Sequence, residues 1–158
     1  MLTPFSGVSL LDELDNLPAV KRNVNAPLMM PISERYKDLG TIIVGKIEAG
    51  RLHQGDSLLL MPNRTLVDVF SIYDESKKEI SAAQSGDNVR VRLRGMEDEV
   101  ISPGFVLTSI ERPINLAQRF EAQLVILDHK NIICAGYKVV MHLHNLARDV
   151  TLVVSNIF

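Results

Sequence analysis

Three arginines at alternate positions are the residues of this chain best suited to bind a ligand. Arg90, Arg92 and Arg94 alternate with apolar residues over 88–94, which predicts a β-strand with one apolar and one cationic face. Guanidinium groups about 7 Å apart on such a face match the phosphate spacing of a nucleic-acid backbone. We call these three residues the arginine stripe. The alternative is a solvated face that pairs with the carboxylates of 97–99 and adds little stability.

Three further cations could extend the arginine stripe into a larger basic patch. Lys46, Arg51 and Arg64 each lie near the end of a predicted strand. A net charge of -2 over 158 residues gives no global attraction to nucleic acid or to an anionic membrane, so any phosphate binding must come from such a local patch.

A phosphate-binding loop is suggested by the sequence of residues 40–46 and contradicted by its composition. The spacing G-x-x-x-x-G-K is present, but Ile47 stands where a Ser or Thr would hold magnesium. The β-branched residues between the glycines favour an extended strand over a loop with inward amides. We predict a strand here.

No catalytic or metal-binding set emerges from the remaining reactive residues. His142 and His144 are spaced to share one strand face, but no carboxylate or cysteine nearby completes a zinc site. Cys134 has no partner in sequence that would make it a nucleophile. The run 97–99 lacks the ligand spacing and glycine of a calcium loop. We expect no metal and no catalytic residue.

The composition of the sequence and the lack of targeting signals indicate the cellular compartment. One cysteine excludes an internal disulfide framework. No apolar run approaches the length of a membrane span, and the N-terminus lacks the basic and apolar blocks of a signal peptide. We expect a cytoplasmic chain with no membrane partner.

The elements that position these residues are mostly strands. Ser9 is placed to cap a short helix whose leucines recur at helical spacing until Pro18. From about residue 27 short apolar strands alternate with Gly, Pro and Asn turns, which predicts an all-β chain built on a closed barrel. A further strand is predicted over 120–127 and two more over 137–144 and 148–155.

The stretch 27–56 resembles the second domain of translational GTPases. Gly40-Thr41, Gly45-Lys46 and Gly55-Asp56 carry the general resemblance, and 31–41 and 60–63 are similar to the GTPase subunit of eukaryotic release factors, the class II release factors. Residues 6–15, 120–123 and 132–144 match the flanking domains. The resemblance covers about residues 6 to 145.

The resemblance implies a domain order and a function. Residues 1–23 correspond to the last helix and linker of the G domain, 24–112 to the elongation factor Tu-like second-domain β-barrel, and 113–158 to an incomplete third-domain barrel. GTP and magnesium belong to the G domain, which is absent, so the resemblance implies a non-catalytic chain without cofactors.

The implied partner is the small ribosomal subunit through its rRNA, with no DNA. Binding to a class I release factor is possible but weakened by the truncation. Three alternatives stay open. They are the same region of a ribosome-rescue or elongation factor 1-alpha-like GTPase, the partner-facing part of a GTPase whose catalytic half is separate, and a truncated remnant without termination activity.

Overall fold

The computed structural model describes residues 7–18, 21–96, 98–127 and 133–153. They form one short helix, a set of strands and a 3-10 turn at Asp98–Val100, which confirms the all-β class. The elements are α1 (Leu10–Asp15), β1 (Met29–Lys37), β2 (Thr41–Lys46), β3 (Arg51–His53), β4 (Ser57–Met61), β5 (Thr65–Tyr73), β6 (Glu79–Ile80), β7 (Ala82–Gln84), β8 (Asn88–Arg94), β9 (Val106–Thr108), β10 (Lys138–Leu143) and β11 (Leu146–Thr151).

Six of the described strands close into a barrel. The order is β4, β9, β1, β2, β8 and β5, and β5 pairs back with β4 to complete the circle. All of these pairings are antiparallel. Each barrel strand sends at least one fully buried apolar side chain inward: Met30, Ile43, Leu60, Ile72, Val91 and Leu107. Because the barrel is closed, each of its six strands has a hydrogen-bonded neighbour on both sides.

The stretch with phosphate-loop spacing is a strand, as the sequence predicted. Thr41–Lys46 forms β2 between β1 and β8, with Ile43 buried inside the barrel. The Thr41 hydroxyl donates to the carbonyl oxygen of Met96 at 2.8 Å. Gly45 is required because a Cβ there would lie 2.3 Å from the carbonyl oxygen of Pro31.

A small two-stranded sheet lies beside the barrel. β3 and β7 pair antiparallel and contribute the buried side chains of Leu52 and Ala83 to the same apolar core. The connection preceding β3 turns at Gly50, whose φ of 82° and close approach to Leu28 exclude any side chain.

Helix α1 has its predicted cap and an exposed apolar face. The Ser9 hydroxyl oxygen accepts from the backbone N–H of Asp12 and donates to the Asp12 carboxylate at 2.6 Å. Leu10, Leu11 and Leu14 are all exposed. The helix is therefore held by its cap and its own hydrogen bonds and not by packing in the described chain.

The prediction of a strand over 120–127 is wrong. Residues 113–127 pair with no described strand, and the apolar side chains of Phe120, Leu124 and Leu127 are exposed. Alternation predicts a strand only where another strand accepts its hydrogen bonds and covers its apolar side. The described residues offer no such neighbour here.

The strands β10 and β11 form a hairpin whose turn contacts the barrel. The Asn145 side-chain amide donates to the carbonyl oxygen of Ile32 at 2.5 Å. The Leu146 side chain packs over Gly104, where an added Cβ would come within 2.5 Å of it.

The division of the chain into 1–23, 24–112 and 113–158 stays a prediction.

Candidate nucleic-acid interface

The arginine stripe lies on the outer surface of the barrel. β8 spans Asn88–Arg94 as predicted, and its apolar residues are buried while Arg90 and Arg92 are half-buried and Arg94 is exposed. β2 and β5 flank β8 on its two sides. Because paired positions point to the same side of a sheet, the stripe shares this outer face with residues of both neighbours.

Aromatic rings of β5 support two of the three guanidinium groups. The Arg94 guanidinium carbon lies 4.6 Å from the centre of the Phe70 ring, and that of Arg92 lies 5.7 Å from the centre of the Tyr73 ring. Contacts of this kind attract the cation to the ring face. They orient the two side chains without neutralising their charge.

No described carboxylate forms an ion pair with the arginine stripe. The described carboxylates that lie within ion-pair distance of a basic side chain contact other residues, Arg22, His53 and His144. Asp68 lies opposite Arg94 in the strand pairing, but its carboxylate accepts from the Ser57 hydroxyl at 2.6 Å. Glu97 and the Asp98 side chain, which the sequence offers as partners, lie outside the described part.

Two buried nitrogens of the stripe have no hydrogen-bond partner in the described chain. These are one terminal nitrogen of Arg90 (Nη1) and the Nε of Arg92. Buried polar groups in folded proteins almost always have a partner. Because these two atoms are shielded from solvent, a ligand on the outer face would contact the other guanidinium nitrogens of the stripe.

The three additional basic residues fall at different places. Lys46 is the last residue of β2. It lies opposite Asn88 of β8 and continues the same outer face. Arg51 lies on β3, opposite Gln84 in the separate small sheet. Arg64 occupies the turn between β4 and β5 with a φ of 56°. The structure therefore brings only Lys46 into line with the arginine stripe.

A surface cavity of about 380 Å³ lies at the Arg94 end of the stripe. The end of β1 and the turn after it contribute Lys37 and Leu39 to its lining, and β5 and β8 contribute Phe70, Arg92 and Arg94. We call this the hairpin-tip cavity. The sequence analysis missed Lys37, Leu39 and Phe70. Phe70 carried a signal, because it is an aromatic residue at a polar position of an alternating strand.

The histidines do not form the pair that their spacing suggested. His142 lies on β10, whereas His144 is in the hairpin turn with a φ of 51°, so the two do not share a strand face. The Nδ1 of His144 lies 3.8 Å from the Glu48 carboxylate. Cys134 is exposed, and no three potential metal ligands cluster among the described side chains.

The helix of the described chain is too short and polar to cross a bilayer.

Comparison with known proteins confirms the resemblance drawn from the sequence, although no protein-family model matches the chain. The eukaryotic peptide chain release factor GTP-binding subunit of Kluyveromyces lactis is 46% identical over 147 residues. Those residues cover 93% of this chain and 21% of the relative.

Two solved structures share the fold. A crystal structure of Sup35 complexed with GMPPNP has a TM-score of 0.79 and 44% identity, covering 94% of this chain and 36% of that one. The elongation factor SelB of Methanococcus maripaludis, in complex with the GTP analogue GppNHp, has a TM-score of 0.78 and 26% identity, covering 90% and 32%. The chain spans about a fifth of the length of the curated relatives it matches.

Proposed function

We propose that this chain, a relative of the GTP-binding subunit of the eukaryotic peptide chain release factor, is the non-catalytic β-barrel portion of a translation termination factor. Its similarity to that subunit over 93% of its length supports the assignment to termination. The proposed action is to bind rRNA of the small ribosomal subunit, in the cytoplasm, through the arginine stripe.

One observation carries the RNA-binding proposal. Three guanidinium groups follow one outer strand of the barrel, two of them lie on aromatic rings, and none pairs with a described carboxylate. Charges that are oriented and left unneutralised bind a phosphate backbone through release of its counterions. Lys46 continues the same face and is included in the proposed site.

In this proposal the chain does not hydrolyse GTP and binds neither GTP nor magnesium. Residues 40–46, which have phosphate-loop spacing, form the strand β2 and not a loop, so their amides are engaged in sheet pairing. Titration of the chain with a labelled GTP analogue and magnesium tests this. Saturable binding in the micromolar range would refute it.

Cosedimentation with ribosomes over a salt series tests the proposed site. The test variant is Arg90→Ala, Arg92→Ala and Arg94→Ala together. The matched control is Arg119→Ala, Lys138→Ala and Arg148→Ala, which removes the same charge from exposed positions outside the barrel strands. Each phosphate contact contributes about 0.7 to 0.9 to the slope of log affinity against log salt.

The expected result separates the two variants. The stripe variant should lose about 2 to 3 units of slope, whereas the control should lose less than about 1 unit. Equal losses in both variants would show that net charge and not the stripe drives binding. We also expect the class I release factor to raise ribosome binding of the chain only slightly, and a strong rise would show that its docking surface is retained.

A further inference from the structure

We propose that two copies of this chain associate by exchanging the segment 120–127, which adds as a third strand to the β10–β11 hairpin of the other copy. We call 120–127 the donor segment and the outer side of β10 the acceptor edge. The partner is a second copy of the chain, and neither element belongs to the arginine stripe.

The donor segment has the alternation of a strand but pairs with no described strand. Apolar side chains occupy its even positions: Phe120, Ala122, Leu124 and Ile126. The three larger ones are each more than half exposed. Such a segment is stabilised when another strand accepts its backbone hydrogen bonds and covers its apolar side.

The acceptor edge presents backbone groups that can receive this segment. The carbonyl oxygen of Tyr137 accepts from the N–H of Leu152 at 2.9 Å, so every second residue after Tyr137 also faces β11. The backbone groups of Lys138, Val140 and His142 therefore point away from β11, and no described backbone group bonds to them. A row of free N–H and C=O groups is a template for another strand.

The hairpin has an apolar face that a third strand would extend. Its side chains come from alternate positions of both strands: Val139, Met141, Leu143, Leu146 and Val150. They are half-buried except for Leu143, which is 55% exposed. A single hairpin is marginally stable, whereas three strands with an apolar face are enough for stability. Addition of the donor segment would complete such a sheet.

One antiparallel register fits both the apolar face and the charges. With Ala122 opposite Met141, the donor residues Phe120 and Leu124 also lie opposite apolar residues of β10, and the Glu121 carboxylate lies opposite the His142 imidazole. The corresponding register on β11 would place Glu121 opposite Asp149, where like charges repel. The charges therefore favour β10 as the acceptor.

The pairing joins two copies because the donor segment does not pair with β10 of its own chain. Ten residues separate Leu127 from Lys138, and they can span about 33 Å. This reach allows each copy to donate its segment while its hairpin accepts the segment of the other. Mutual donation closes as a two-fold dimer in which both acceptor edges are filled. A net charge of -2 per copy opposes association only weakly.

Disulfide trapping between differently tagged copies tests the exchange on the full chain. Both copies carry Cys134→Ser, which removes the native thiol. One copy also carries Ala122→Cys and the other Met141→Cys. In the proposed register these positions form a pair without mutual backbone hydrogen bonds, with Cα atoms about 4.5 Å apart, a separation that a disulfide bridges. The matched control uses Ala147→Cys, an exposed position on β11, in place of Met141→Cys.

We expect the mixed-tag disulfide dimer to form with Met141→Cys and not with Ala147→Cys. Sedimentation velocity supplies a second test with two proline variants. Gln123→Pro removes the N–H that bonds to Val140 in the proposed register, whereas Gln118→Pro makes the same change outside the donor segment. Gln123→Pro should weaken the dimer at least about 10-fold, because each copy then leaves a buried carbonyl without its donor.

Wild-type chain and Gln118→Pro should both sediment as dimers in the micromolar range. Thermal unfolding of each variant verifies that the barrel is intact. Three results would overturn the inference: wild-type chain that sediments as a monomer or as species larger than a dimer, equal disulfide trapping in test and control pairs, and an equal effect of the two prolines. Each of them leaves the proposed ribosome binding standing, because that binding depends on β8 and is measured separately.

Discussion

Substitution of Gly45 by alanine should destabilise the barrel because the backbone of the neighbouring strand β1 leaves no room for a side chain at this position. An added Cβ would lie 2.3 Å from the Pro31 carbonyl oxygen and 3.0 Å from the end of the Met30 side chain. The methionine can move, but the carbonyl belongs to a paired strand. To restore ordinary contact at 3.4 Å, the two strands must separate locally by about 1 Å, against a closed and fully packed barrel.

The size of the effect follows from two opposing contributions. Overpacking of this kind costs about 1 to 3 kcal/mol, and the rigid position of the carbonyl puts Gly45→Ala at the upper end. Replacement of glycine restricts the unfolded chain and offsets about 0.4 to 1 kcal/mol. The net loss should be about 2 kcal/mol, which lowers the melting temperature of a barrel of this size by about 8 to 16 °C.

Equilibrium unfolding in guanidinium chloride, followed by circular dichroism, measures this loss. Ser33→Ala is the matched control, since the Ser33 hydroxyl donates to the Val44 carbonyl at 2.9 Å on the exposed side of the same strand pair. It should cost less than about 1 kcal/mol. A Gly45→Ala variant within about 0.5 kcal/mol of wild type would mean that the β1 backbone does not lie this close to position 45.

Three other predictions concern the core and the hairpin. Ile43→Ala removes a fully buried side chain and should cost about 2 to 5 kcal/mol in chemical unfolding, whereas Leu39→Ala at the exposed turn should cost nothing measurable by the same assay. Asn145→Ala removes the amide donated to the Ile32 carbonyl, so amide hydrogen exchange should speed up in β10 and β11 and stay unchanged in β8. A chain ending at Arg112 should keep a cooperative thermal transition, because every barrel pairing lies between Met29 and Thr108; loss of that transition would show that the hairpin is needed for closure.

The barrel could be predicted from the sequence because its signals are local. Alternation over 88–94 specified a strand and the side to which each residue points, and Pro62-Asn63-Arg64 marked the turn between β4 and β5. The strand at Thr41–Lys46 was identified against a misleading glycine spacing, since β-branched residues decide the local conformation. These features depend on residues adjacent in sequence.

The features that sequence analysis missed depend on contacts between distant residues. Residues 113–127 are exposed and form no strand because no described strand lies beside them. The alternation of residues within a segment does not predict whether such a neighbour exists. The hairpin-tip cavity joins Lys37, Phe70 and Arg94 from three strands, and only the order β1, β2, β8, β5 brings them together. The separation of His142 from His144 depends on where the hairpin turns.

The short strand β9 determines when the barrel can form during synthesis. It pairs with β1 on one side and β4 on the other, and Val106 is made about 75 residues after its partner Pro31. At about 5 to 20 residues per second, β1 waits roughly 4 to 15 seconds with one edge unpaired, and β4, which is made later, waits roughly 2 to 9 seconds. During that interval the nascent chain exposes the edge and the apolar side of an open sheet, which is the form that chaperones bind and that misassembles most readily. Codon choice between positions 31 and 106 should therefore affect the yield of folded protein more than codon choice after Thr108.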